Sequence, residues 1–447
     1  MKKLSCLFLL FVALKGEVID FDLYKIDSAT SSKPTILILS GIQGDEPGAF
    51  NATSILIKHY KIKNGSLWVV PNLNQHSILK NNRGIYGDMN RKFADLPHSD
   101  PEYHIIQNIK SLILNEQVDK ILHLHDGSGF YRDTYISPLL NQNRWGNCSI
   151  IDQDTLFEYG DLNQNITSII DYINANLLDE IHRFHIRNTD TANGDTEQVK
   201  SLTYFATINK KMAFASEASK SLPLAKRVYY HLLAIEGTLQ NSNIEFERDF
   251  ELTIANIQRL INDKDTNIII EDIVSLPLHN IKPQLNYFPL RSDKVDFRSN
   301  TPIIWLFKDG ENYRIKNGNK GLTTLKPFFI EFDSSLESVD LLIDGVEANV
   351  PIGSIVKVKD SFEVKDLPYR VNVIGFNAKG SEVGINIERR DLMGRFAIDK
   401  NNTKFRIEFY KTLESGDSTS GDSSDLKGRR DKPKEAFAGM IIVDFSK

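Results

Sequence analysis

Cysteine is nearly absent from this chain, with two among 447 residues. That excludes a disulfide framework, which small secreted scaffolds need and a chain of this length does not. Long apolar runs are missing too. The longest covers residues 4–14 and falls short of the roughly 20 residues that span a bilayer, so no transmembrane helix is expected. Basic residues are in deficit: 54 Lys and Arg stand against 59 Asp and Glu, for a formal charge of −5. Without a basic stripe there is no electrostatic reason to expect nucleic acid as a partner. No internal repeat is present. Low complexity is confined to residues 414–435, rich in Ser, Gly, Asp and Lys. Such a stretch buries little apolar surface and is expected to form a flexible loop.

What remains is the composition of a folded globular protein, 41% hydrophobic and 25% charged. The length suits two or three domains. At the N-terminus Lys2 and Lys3 precede the apolar run, and Lys15 ends it. A basic start, an apolar stretch and a return to polarity make a secretory signal, expected over residues 1–16. Cys6 leaves with it, and Cys148 is then alone.

Residues 17–250 alternate two patterns. Short apolar runs at 35–39, 66–70, 120–124 and 211–215 read as buried strands, and 49–60, 100–114, 166–182 and 224–238 have helical spacing. Alternation of this kind builds an α/β domain, a mixed or parallel sheet covered by helices. Beyond a last helix at 254–262 come short β-type runs, punctuated by Asp309-Gly310, Asn317-Gly318 and Asp344-Gly345 turns. The expected organisation is an α/β catalytic domain at 17–250 and a small, mostly β domain at 251–337. A β-sandwich of immunoglobulin type follows at 338–447.

Open α/β sheets bind ligands at the carboxyl ends of their strands, and three segments stand there. Gly41-Ile42-Gln43-Gly44-Asp45-Glu46 follows the first strand, and a spacing of three lets Gln43 and Glu46 reach one point. His125 ends Ile121-Leu122-His123-Leu124-His125, nearer the mouth than His123, which shares its face. Glu217 leaves the late run Phe214-Ala215-Ser216-Glu217. Two oxygen donors and one imidazole make a three-ligand zinc site with a fourth position free for water. Glu217 is then placed as general base. Singly, each piece is ordinary: a Gln–Glu pair at this spacing is usually a solvated turn, and a strand-end His is usually structural. Their order carries the weight.

In that order the chain resembles the M14 zinc carboxypeptidases. The likeness rests on Gln43-Gly44-Asp45-Glu46, Pro71-Asn72, Arg83, Asp88-Met89-Asn90-Arg91, His125 and Glu217, spread over residues 20–250. One departure is plain: Gln43 stands where that family has His, and a neutral amide is the weaker donor. The same Gln occurs in the peptidoglycan DL-carboxypeptidases that set cell shape in helical bacteria, and the chain resembles that subfamily over its whole length. The resemblance implies Zn2+ held by Gln43, Glu46 and His125, with Glu217 as catalytic base and Arg83 stabilising the oxyanion. It implies that Asn90 and Arg91 grip the substrate's free carboxylate. Thr203 and Tyr204 would line the pocket, core or loop packing being the other role open to Tyr204. The implied activity trims the terminal meso-diaminopimelate from a peptidoglycan tripeptide stem in the periplasm, leaving a dipeptide. That muropeptide is the implied partner, and the C-terminal β domains are expected to dock on the cell wall or on another protein. Two rivals stay open. Gln43 argues for a non-catalytic peptidoglycan-binding protein, and the export signal argues against an amino-acid deacylase of the same superfamily.

Overall fold

The structure, a computed structural model, describes residues 21–28, 33–156, 159–194, 197–292, 294–378, 380–413 and 434–446. The expected signal at 1–16, with Cys6, and residues 414–433 of the expected loop lie outside the described residues. The chain divides into two units, one reaching Ile257 and the other starting at Gln258.

In the first unit, β1 (Tyr24–Asp27), β2 (Thr35–Leu39), β3 (Ser66–Val70), β4 (Lys120–Gly127), β5 (Cys148–Ile151), β6 (His185–Asn188) and β7 (Met212–Ser219) form one sheet. Its seven strands run in the order β1-β3-β2-β4-β7-β5-β6. The pairs β2–β3, β2–β4, β4–β7 and β5–β6 are parallel, and β1–β3 and β5–β7 antiparallel. The sheet is therefore mixed, as expected. Strands β2, β3, β4 and β7 are buried at every position. Burial on both faces is why they read as unbroken apolar runs.

Six helices accompany this sheet: α1 (Pro47–His59), α2 (Gln75–Lys80), α3 (Tyr103–Leu114), α4 (Leu162–Asn174), α5 (Leu202–Ile208) and α6 (Leu224–Asn241). α3 lays Ile106, Ile109 and Ile113, beside Leu202 and Ala206 of α5, on Leu37, Leu39, Ile121 and Ala213 of the sheet. α6 packs against α1, α4, β4 and β7.

Three departures from the sequence reading have local causes. β4 and β7 run on to Gly127 and Ser219, because their parallel pairing continues to those residues. His125 and Glu217 thus lie within strands, not beyond them. The helix expected at 166–182 starts earlier, where the Asp161 carboxylate accepts from the Gln164 N–H at 3.0 Å. It ends at Asn174, whose side chain bonds both backbone polar groups of Phe184. β6 is unheralded because an edge strand spelled His-Ile-Arg-Asn carries no apolar alternation.

The second unit is mostly β. Asn267–Ile270, Val274–Pro277 and Phe297–Ser299 form a three-stranded sheet, and Gln284–Leu290, Ile304–Asp309, Asn312–Asn317 and Lys320–Phe329 a four-stranded one. Two further four-stranded sheets follow, and Leu341 and Phe362 of one share a core with Phe405 and Ile407 of the other. That is a β-sandwich. No helix among the described residues is long and apolar enough to cross a membrane.

Candidate active site

The turn after β2 has little room. Gly41 has φ +73°, and a Cβ there would meet the Pro71 carbonyl oxygen at 2.9 Å. The demand for glycine is steric as well as conformational. The turn delivers Gln43 to the carboxyl end of the sheet, and Glu46 to the N-cap position of α1. The Glu46 side chain makes no cap bond, so its carboxylate is free to face the cavity.

Gln43, Glu46 and His125 meet at one point. His125 Nδ1 lies 2.6 Å from Gln43 Oε1 and 2.9 Å from Glu46 Oε2. The three are 1%, 3% and 3% exposed, so the point is buried. Among the described residues no cluster of three or more His, Cys, Asp or Glu side chains is disposed to hold a metal. The third donor here is an amide. Burial raises the Glu46 carboxyl well above its usual range, the opposing pull of Lys220 and Arg83 notwithstanding. Those cations are 3.8 and 3.5 Å from its oxygen. A buried carboxylate beside an imidazole nitrogen and an amide oxygen is a donor set that fits a divalent cation.

Glu217 sits directly opposite His125 across the β4–β7 pair. Burial pushes its carboxyl up to about 8, with His125 pulling the other way. A buried acid raised in this way is a frequent property of catalytic carboxylates.

Asp88 ties Gln43 to Arg83 and Asn90. One of its oxygens accepts from Gln43 Nε2 at 2.8 Å and from the Asn90 N–H at 3.0 Å. The other takes Arg83 Nε and Nη2 at 3.1 and 2.9 Å. A carboxylate only accepts, so Asp88 requires the NH2 end of Gln43 and turns the amide oxygen toward His125. Sequence reasoning quoted Asp88 within a motif but gave it no function. The available signal was that a ligating glutamine needs an acceptor for its other end. Asp126 anchors the same strand from behind. It accepts from the Gly48 N–H at 2.8 Å, Arg227 Nη1 at 2.7 Å and His231 Nε2 at 2.9 Å.

Gln43, Glu46, His125 and Glu217 line a cavity of about 250 Å³, together with Arg83, Asn90, Arg91, Thr203, Trp145 and Lys220. Asn90 Oδ1 accepts from the Leu202 N–H, so this side chain also caps α5. Thr203 lines the cavity, but its hydroxyl is engaged with His123 at 2.7 Å. Tyr204 is not among the lining residues. Its segment contributes Gln198, Ser201 and Thr203 instead. Trp145 and Lys220 were not foreseen.

Parallel strands that bring Gln43, Glu46 and His125 to one buried point, with a buried acid opposite and two guanidinium groups lining the same cavity, suit a metallocarboxypeptidase. Family models match along the chain. Residues 4–262 match the catalytic domain of a carboxypeptidase controlling helical cell shape, 263–331 a β-barrel domain of carboxypeptidase M99, and 332–446 a C-terminal domain of metallo-carboxypeptidase. The chain belongs to this family of cell-shape carboxypeptidases. Solved structures of the cell shape determinant protein Csd4 from Helicobacter pylori are similar throughout. The product-bound form is 45% identical with a TM-score of 0.87, covering 95% of this chain and 100% of that one. The tripeptide-bound form gives the same values. The mDAP-bound form, described as a D,L-carboxypeptidase, is 45% identical with a TM-score of 0.86, covering 94% and 100%. No curated protein matches the chain.

Proposed function

We propose that this chain is an exported, zinc-dependent DL-carboxypeptidase that removes the terminal meso-diaminopimelate from peptidoglycan tripeptide stems and so sets cell shape. The observation that carries the metal centre is the convergence of Gln43 and Glu46 on His125 Nδ1, with Glu217 opposite. The substrate is argued from the similar Csd4 proteins, whose structures hold mDAP and a tripeptide. Residues 1–16 are the export signal in this reading, and the periplasm is where the substrate lies. Residues 17–250 form the catalytic domain, and those at 251–337 and 338–447 dock on the wall or a partner.

Zinc held by Gln43, Glu46 and His125 would polarise the scissile carbonyl and make a water acidic enough to lose a proton near neutral pH. Glu217 receives that proton and passes it to the leaving amine. Arg83 donates to the oxygen that gains negative charge. Asn90 and Arg91 hold the substrate's terminal carboxylate, a guanidinium fork matching it in two parallel hydrogen bonds. Thr203 lines the pocket, and Tyr204 stands next to it on the same helix. The deciding experiment incubates purified muropeptides with the full-length protein, with and without a chelator. Free meso-diaminopimelate and a dipeptide stem are expected, and only without the chelator. Failure to cut the tripeptide, or cutting unaffected by a chelator, refutes the proposal.

A further inference from the structure

Beside His125 lies a second imidazole, also on the cavity wall, that the chemistry above does not use. His123 is 3% exposed, two residues back on the same strand. Its Nδ1 is 2.7 Å from His125 Nε2, and its Nε2 is 2.7 Å from Thr203 Oγ1. Every nitrogen of the two rings therefore has a partner: the metal point, the other ring, or the threonine. We infer that His123 is a positioning residue that selects the tautomer of His125 able to bind the metal, and that Thr203 ends this line.

The argument is a count of protons. A metal needs the lone pair of His125 Nδ1, which leaves the proton of the neutral ring on Nε2. That N–H faces His123 Nδ1, which must then be bare, so His123 carries its proton on Nε2 and donates to Thr203 Oγ1. Without a metal the line can run the other way. The Thr203 hydroxyl donates to His123 Nε2, His123 Nδ1–H donates to His125 Nε2, and His125 Nδ1–H donates to Glu46 and Gln43. Each direction leaves no ring nitrogen in this buried line unpaired, and an unpaired buried polar group is costly. A ligating imidazole generally donates its second N–H to an outer partner that is itself fixed. Here that partner is an imidazole of reversible polarity, and a threonine hydroxyl, both donor and acceptor, allows the reversal.

The inference rests on the reading that Gln43, Glu46 and His125 hold zinc, and the test separates the two. Zinc affinity is measured by chelator competition on the full chain, for wild type, His123→Phe, His123→Asn and Thr203→Val. Phenylalanine keeps a ring without an acceptor. The asparagine amide can place an oxygen near the former Nδ1. Removing the outer partner should weaken zinc binding about 10- to 100-fold in His123→Phe, with His123→Asn within about threefold of wild type. Thr203→Val should fall between them. The second measurement is independent of folding in any variant: nitrogen-15 NMR of histidine-labelled wild type, with and without zinc. Zinc-loaded protein should carry the His123 proton on Nε2. A zinc-loaded His123 protonated on Nδ1, or a folded His123→Phe with wild-type affinity, overturns the inference and leaves the metal site standing. Wild-type protein that takes up no zinc overturns the metal reading and this inference with it.

Discussion

Replacing Asp88 with asparagine tests whether an amide can serve as a metal ligand only when something outside holds its orientation. The substitution keeps shape and removes charge. The carboxylate serves two sides at once, Gln43 Nε2 and the Asn90 N–H on one oxygen and Arg83 on the other. An asparagine amide has a single acceptor. If its oxygen stays with Arg83, its NH2 meets the NH2 of Gln43, which must rotate and present NH2 to the metal. The Arg83 side chain is 53% exposed, so its ion pair contributes little. The Gln43 bond is better shielded, with Gln43 buried and Asp88 21% exposed, and hydrogen bonds to a charged acceptor contribute about 1.5–3 kcal/mol. At a factor of ten per 1.4 kcal/mol, the expected loss in zinc affinity is about 10- to 150-fold. Chelator competition measures it, and a double-mutant cycle with Gln43→Ala isolates it, since Asp88 has nothing to orient once the amide is gone. A folded Asp88→Asn variant within twofold of wild-type affinity would refute the reasoning. So would an unchanged loss in the Gln43→Ala background.

Further outcomes are expected at neighbouring positions. His125→Ala should lose zinc almost entirely, while Gln43→Ala weakens it less because the amide brings no charge; metal analysis of the purified variants decides. Glu217→Gln should retain zinc and substrate yet turn over about 10²- to 10⁴-fold more slowly, because it cannot take a proton. Arg91→Lys should cut tripeptide stems poorly, and wild type should reject tetrapeptide stems and amidated termini; product analysis showing efficient cleavage of either removes Arg91 as the carboxylate reader. Asp126→Asn should destabilise the metal-free protein by about 3–5 kcal/mol through loss of a buried charge partner. Burial alone would raise the Asp126 carboxyl, but His231, Arg227 and the Gly48 N–H hold it below its usual range. Its stabilisation is therefore full above the unfolded value of about 3.9 and lost as pH falls through the folded one. The melting-temperature gap between wild type and variant should close in acid, and a gap constant down to pH 2 would contradict this.

Periodicity located the strands whose two faces are both covered, because a run such as Thr-Ile-Leu-Ile-Leu has no other comfortable place. It failed for β1, β5 and β6, short strands of which β1 and β6 lie at the sheet edges and are stabilised by their neighbours more than by their own composition. Three segments of the candidate site were legible for a related reason: the Gln43–Glu46 turn follows a strand, His125 and Glu217 lie near the carboxyl ends of theirs, and the register of the sheet sets those two side by side. Asp88 was not legible as a partner of Gln43, since a contact across 45 positions leaves no local pattern. Nor was the engagement of Thr203 with His123, a side-chain contact across 80 positions. Tyr204 shows the limit of placing a residue by its segment. One step along a short helix separates a side chain that lines the cavity from one that does not.

The insertion of β7 between β4 and β5 has a consequence for how the molecule is made. This strand comes last in the chain of the seven, yet it occupies the interior of the sheet. While the chain is being delivered from its N-terminus, the facing edges of β4 and β5 have no partner until residue 219 arrives. Bare edges of this kind recruit other chains, and closing them requires pairing across a long stretch of sequence, which is slow. Gln43, Glu46 and His125 all precede β7, but Glu217, opposite His125, arrives with it. In the proposed chemistry an incomplete chain therefore lacks its general base, and the last strand of the sheet in the chain is also the one that completes the centre.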